Sequence, residues 1–174
     1  MAPHLHKNIC QPSVYSNLYE KYAEKLSHLF YYKFGVLCNA EDKVQEAFIK
    51  LWENCARITP EKTWSYLYSV INNALLNDYK HQKVVLKYQE VSPKEYSNET
   101  PEFVLRKKEF MQQYEQALAL MSEEFRVAFM LNKVDGKTHK EVAEMLGVTK
   151  KVAEYRIYSA LKHLQKHLGN IKIK

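Results

Sequence analysis

The sequence predicts an all-α fold: two small helical domains joined by a flexible linker. Three observations carry that expectation. Of 174 residues, 46% are apolar and 26% charged, the proportions of a globular chain that buries a core. Only 4 glycines and 5 prolines are present, too few turn-formers for many short strands. Apolar residues also recur at three- and four-residue steps along most of the length, the signature of amphipathic helices. No apolar run approaches the roughly 20 residues of a membrane span.

Residues 1–13 lack periodicity. The stretch MAPHLHKNICQP has no apolar segment of the secretory kind, and His4, His6 and Cys10 read as an unsupported, disordered terminus rather than a metal site. A helical stripe begins near Val14 with Leu18, Tyr22, Leu26, Leu29, Phe30 and Phe34, and Gly35 offers its C-cap. Asn39 suits the N-cap of a second helix, with Glu41 and Asp42 placed to meet the positive end of its dipole. That helix presents Val44, Ala47, Phe48, Leu51, Trp52 and Cys55 as a buried stripe. Thr59-Pro60 interrupts it. A third helix is expected from about Thr63 to His81, with Trp64, Leu67, Ile71, Ala74 and Leu75 on one side. Residues 14–88 then form the first domain.

Residues 89–101 (QEVSPKEYSNETP) lose all periodicity and collect Ser, Pro, Asn, Glu and Thr, as linkers do. Residues 102–174 form the second domain. Phe103, Phe110, Met111, Tyr114, Ala117, Leu118 and Met121 mark its first helix. Ser122 caps a second, with Val127, Ala128, Met130 and Leu131. Asp135-Gly136 turns the chain. Thr138 to Glu141 has the spacing of a capping box, opening a short helix that ends at Gly147. Thr149 caps the last helix, whose Ala153, Ile157, Ala160, Leu161, Leu164 and Leu168 face inward.

The net charge is +6, and it is concentrated. Between Met145 and Lys174 seven basic residues face a single acid, Glu154. Such a basic face suits a polyanion, with nucleic acid first and an anionic membrane second. Cys10, Cys38 and Cys55 are odd in number and far apart, so they predict reduced thiols in a cytoplasmic protein, without a zinc site or disulfide framework.

The strongest local pattern is Thr138 to Ile157: a capped helix, the Leu146-Gly147-Val148 turn, and a second helix. This is the helix-turn-helix plan, whose second helix enters the DNA major groove by its N-terminal part. Lys150, Lys151, Glu154, Tyr155 and Arg156 point outward there, and Thr138 stands at the start of the motif. Arg156 is suited to read guanine bidentately, and the lysines to neutralise phosphates.

At this point the chain resembles a known family. The stretch from Met121 to Leu168 is similar to region 4 of bacterial sigma factors. Upstream, LYEKYAEKLSHLFYYKFG followed by AEDKVQEAFIKLWEN resembles region 2 of the extracytoplasmic-function group, in which an aspartate, Gln-Glu, an aromatic and a Trp recur, here Asp42, Gln45, Glu46, Phe48 and Trp52. The stretch WSYLYSVINNALLNDYKHQK resembles the helix that melts and reads the −10 element.

The resemblance implies a promoter-specificity subunit with two DNA-binding modules. Asp42, Gln45, Glu46, Lys50 and Glu53 lie along the polar flanks of the second helix, a row able to grip a basic helix; by resemblance that partner is the clamp-helix coiled coil of core RNA polymerase. Arg57, Lys62, Tyr66, Asn72, Asn73, Asn77 and Lys80 are the candidates for the melted −10 strand of promoter DNA, since bases stack on rings while cations track phosphates. The helix-turn-helix residues named above would meet the −35 element. Ser69 and Asn72 stand where Arg is common, so this −10 helix is less basic than usual. The resemblance further implies a membrane-anchored anti-sigma factor. No nucleophile, metal triad or Gly-rich phosphate loop accompanies the carboxylates, so neither an enzyme, a small-molecule substrate, a cofactor nor a metal is expected. A plain helix-turn-helix regulator, or an adaptor that binds polymerase or DNA without starting transcription, are the rival readings.

Overall fold

The computed structural model describes residues 8–35, 38–78 and 101–169, with residues 101–104 described by their backbone alone. The remaining residues, including His4, His6, Lys80, Lys83, Lys172, Lys174 and nearly all of the expected linker, lie outside that description. Every regular element among the described residues is helical. The chain divides into two compact units, Met1–Gln82 and Lys83–Lys174, and each is described by itself.

The first unit holds α1 (Pro12–Phe34), α2 (Ala40–Glu53) and α3 (Thr63–Asp78), with short 3-10 turns at Cys55–Arg57 and Pro60–Lys62 between the last two. Pro12 at the first turn of α1 lacks only an N–H that has no helical acceptor there. The three helices pack pairwise on one another. Leu26, Leu29 and Phe30 of α1, Val44, Phe48 and Leu51 of α2, and Leu67, Ile71 and Leu75 of α3 meet almost fully buried. Each contributes about 1.5–3 kcal/mol of burial. Tyr15 fastens α1 to α2: its hydroxyl donates to the Phe48 carbonyl at 2.9 Å, and its ring meets Trp52 edge-on at 5.0 Å. Across the unit, Lys33 of α1 donates to Asn72 Oδ1 of α3 at 2.8 Å.

Five expectations change here. Residues 8–13, expected within a disordered terminus, are structured: Ile9 is fully buried and α1 already begins at Pro12. Cys55, expected on the α2 stripe, lies half-buried in the 3-10 turn beyond that helix. Asn39 does stand before α2, but in the left-handed conformation (φ 41°). Capping needs an extended backbone; the Asn39 side chain instead donates to the Asp42 carboxylate. Trp52, expected in the core stripe, is 43% exposed, because the ring sits at the edge of the α1–α2 seam. The thiols are not all free. Cys10 and Cys55, 45 residues apart, have Cα atoms 5.1 Å apart and form a disulfide; spacing along the chain does not reveal a pairing made through space. Cys38 remains a buried free thiol, its Sγ 3.7 Å from the Phe30 carbonyl, and burial raises its pKa.

The second unit holds α4 (Pro101–Leu120), α5 (Glu123–Lys133), α6 (His139–Leu146) and α7 (Lys150–Leu168). The last helix is the hub, packing on the other three. Ala153 and Ala160 are fully buried, and their small size lets neighbouring helices approach α7 closely. The capping box is complete: Thr138 Oγ1 accepts from the Glu141 N–H at 3.3 Å, and the Glu141 carboxylate accepts from the Thr138 N–H at 2.8 Å. Gly147 ends α6 in the left-handed conformation (φ 65°), which a side chain would strain. Thr149 caps α7 by accepting from the Val152 N–H at 3.3 Å. Ser122 occupies the N-cap position of α5 but makes no side-chain cap hydrogen bond.

Arg126 went unremarked in the sequence and is 3% exposed. It donates to the Met121 carbonyl just past α4 at 3.1 Å, and at 3.5 Å to the Leu118 carbonyl, which also accepts the Met121 N–H at 3.2 Å. Burial lowers its pKa, and Glu123 acts in the opposite sense. Arg126→Leu strands the Met121 carbonyl and is expected to destabilise this unit by about 1–3 kcal/mol. Both tryptophans of the chain, Trp52 and Trp64, lie in the other unit. The variant should therefore lower the denaturant midpoint seen by circular dichroism and leave the tryptophan-fluorescence midpoint in place. Coincident, unshifted transitions would show the guanidinium to be dispensable.

Candidate nucleic-acid interface

In the first unit, α2 turns one side to the core and the other to solvent. Asp42, Gln45, Glu46, Lys50 and Glu53 are all exposed, so the five residues expected to form the row share the outer surface. Lys43 stands 3.2 Å from Glu46, a pair open to water on the carboxylate side. Ile49, 59% exposed, lies in the same surface, and beside it a shallow groove between α1 and α2 is lined by Tyr15, Tyr19, Gln45, Phe48 and Ile49. An apolar strip edged by carboxylates suits a partner that is itself amphipathic and basic.

The α3 candidates separate. Asn73 and Asn77 are exposed with Ser65 and Ser69, forming one polar face at four-residue steps. Arg57 and Lys62 are exposed on the two 3-10 turns before it. Tyr66 and Asn72 are turned sideways. The Tyr66 hydroxyl donates to the Lys50 carbonyl at 3.4 Å and accepts from Asn54 at 3.5 Å, tying α3 to the end of α2. Asn72 is occupied by Lys33. Lys80 lies outside the described residues.

In the second unit, α6, the Gly147 turn and α7 form the helix-turn-helix. The Val148 N–H bonds to the Ala143 carbonyl at 3.0 Å, closing the turn. Lys150, Lys151 and Tyr155 are exposed on the first turns of α7. Glu154 is engaged, 3.3 Å from His139 and 3.5 Å from Lys150. Arg156 is drawn to the flank of α7, where its Nη2 lies 3.0 Å from the Glu124 carboxylate of α5, and its side chain is only 17% exposed. Thr138 is committed to its capping box.

Residues 18–84 match the family model for sigma-70 region 2, and residues 111–164 match that for sigma-70 region 4. These matches occur in that order and take in well over half of the chain. This chain belongs to the sigma-70 family. Region 2 opens within α1 and takes in all of α2 and α3, so the α2 row and the polar α3 face are both region 2 surfaces. Region 4 opens within α4 and closes within α7, so it contains the whole helix-turn-helix. A curated relative is the ECF RNA polymerase sigma factor SigE of Mycolicibacterium smegmatis, 23% identical over 160 residues. The alignment covers 89% of this chain and 62% of the relative, so this chain spans less than two thirds of that protein's length. Among the described residues, no three His, Cys, Asp or Glu side chains gather as a metal site, and no helix is long and apolar enough to cross a membrane.

Sequence reasoning overlooked Ile49 and the groove beside it, Val152 and Tyr158 on α7, and the Arg126 anchor. Ile49 had a legible signal: it is the one large aliphatic residue on the polar side of the α2 stripe. The Glu124–Arg156 pairing had none, because it joins residues far apart in sequence through the packing of α5 on α7.

Proposed function

We propose that this chain is an alternative sigma factor of the extracytoplasmic-function type, which binds core RNA polymerase and directs promoter recognition and transcription initiation. The region 2 and region 4 matches, in order and each on its own helical unit, carry this reading. The α2 row of Asp42, Gln45, Glu46, Lys50 and Glu53, with Ile49 at its centre, is the surface for core polymerase. The exposed face of α3 with Asn73 and Asn77, together with Arg57 and Lys62, meets the melted −10 strand. Tyr66 and Asn72 hold that helix in place. The outward side of α7, with Lys150 and Lys151 on phosphates, meets the −35 element. Residues 14–88 and 102–174 act as separate modules on the 89–101 tether, in the cytoplasm, under the control of an anti-sigma factor. The chain carries out no reaction of its own: polymerase supplies the chemistry.

Run-off transcription tests this. Purified chain, core polymerase and a pool of templates randomised across the −35 and −10 positions are expected to give discrete transcripts whose templates share both elements. Transcripts no more frequent than with core enzyme alone would sink the sigma assignment. Selective binding of duplex DNA by the chain alone, without transcripts, would leave the helix-turn-helix regulator.

A further inference from the structure

With about 100° of turn per residue, the buried Ala153, Ile157 and Ala160 fix the inner side of α7. Lys151, Tyr155 and Tyr158 therefore occupy the opposite side, with Val152 beside them. All four are exposed, Tyr155 at 65%, Tyr158 at 62% and Val152 at 38%. The hydrogen-bonding side chains that would ordinarily read bases are engaged elsewhere: Arg156 with Glu124, and Glu154 with His139 and Lys150. What α7 offers at its centre is an aromatic ring braced edge-on against Phe125 at 6.0 Å, and an aliphatic side chain next to it.

We propose that Tyr155, flanked by Val152, reads the −35 element by apolar contact with the C5-methyl group of a thymine. This rests on the assignment of α7 to the −35 element. In the major groove the thymine methyl is the one apolar group any base pair presents, and rings and aliphatic side chains are its natural partners. A ring that keeps its place before binding loses little freedom when it docks, and its exposed apolar surface leaves water only when the methyl covers it. Arg156 is a positioning residue in this arrangement, acting through Glu124 to set the angle of α7.

Deoxyuridine isolates the contact, because it pairs as thymine does and lacks only the methyl. The complex of this chain with core polymerase is used to select −35 sequences from a randomised pool. Each thymine of the selected element, on either strand, is then replaced singly by deoxyuridine. At one position the wild-type complex should bind about fourfold more weakly, the worth of one buried methyl. Tyr155→Ala should bind the thymine promoter more weakly and be indifferent to deoxyuridine there, while Tyr155→Phe should keep the full sensitivity. Arg156→Ala should weaken binding without changing the preferred base anywhere. Selection of a −35 element with no A·T pair, equal binding of thymine and deoxyuridine at every position, or undiminished deoxyuridine sensitivity in Tyr155→Ala would each overturn the proposal and leave α7 on the −35 element. A pool that yields no −35 preference at all would remove that underlying assignment as well. Because Tyr155 is exposed, circular dichroism of the variants should match wild type, and Tyr155→Phe supplies the folded control.

Discussion

Asp42→Lys combined with Glu46→Lys should weaken binding to core RNA polymerase by at least about 100-fold, because a basic partner would then meet like charge, which costs several kcal/mol. The effect on folding should be small. Both side chains are exposed, and the Lys43–Glu46 pair lies at the surface, where such pairs are worth about 0.3–0.5 kcal/mol. Asp42 also sits in the first turn of α2, so a lysine there opposes the helix dipole at a further cost of about 0.3–1 kcal/mol. These sums leave the helices intact. A pull-down with core enzyme, run beside circular dichroism, reads both quantities. Ile49→Glu adds an independent arm: it introduces no basic charge, yet should also disrupt docking if the apolar strip is the centre of the contact. Normal retention of the folded double variant on core enzyme would remove polymerase from this face.

Reducing the Cys10–Cys55 disulfide should have the largest effect on stability. The bond closes a 45-residue separation, for which the chain-entropy estimate is about 4 kcal/mol. In a domain of this size that corresponds to a fall of more than about 15 °C in melting temperature. Because Trp52 and Trp64 are the only tryptophans, the change belongs in the fluorescence transition. Reductant should lower it strongly, Cys10→Ser should start low and ignore reductant, and Cys38→Ala should respond to reductant as wild type does. A wild-type fluorescence transition indifferent to reductant would mean that the tie carries no load.

How far the sequence reaches depends on the range of the interaction. Local chemistry was legible: Thr138 with Glu141, Thr149, and Gly147 mark the helix-turn-helix to the residue, since each acts within four positions of itself. The buried stripes of α2 and α3 were legible because periodicity reports which side of a helix faces inward. It does not report how wide that side is, and Trp52 was placed in a core whose edge it only borders. Asn39 had the residue type of a cap, but its backbone is left-handed and its side chain bonds Asp42 instead. The Cys10–Cys55 bond and the Glu124–Arg156 pair belong to tertiary packing, which no single-sequence pattern encodes. For the same reason the −35 candidates are unequal as individuals: Tyr155 faces out, whereas Arg156 is drawn aside by a residue on another helix.

The two flanks of α7 bear on the thermodynamics of recognition. On one side Arg156 is joined to Glu124 of α5, and on the other Glu154 is joined to His139 of α6. These pairs add to the buried Ala153, Ile157, Ala160 and Leu164 that seat α7 on its neighbours, so part of the ordering entropy of its flanks is taken up during folding. Association then has fewer side chains left to immobilise. Calorimetry on wild type and on Glu124→Ala would measure this: loosening the mount should make binding entropy less favourable, even where the enthalpy of the contacts is preserved.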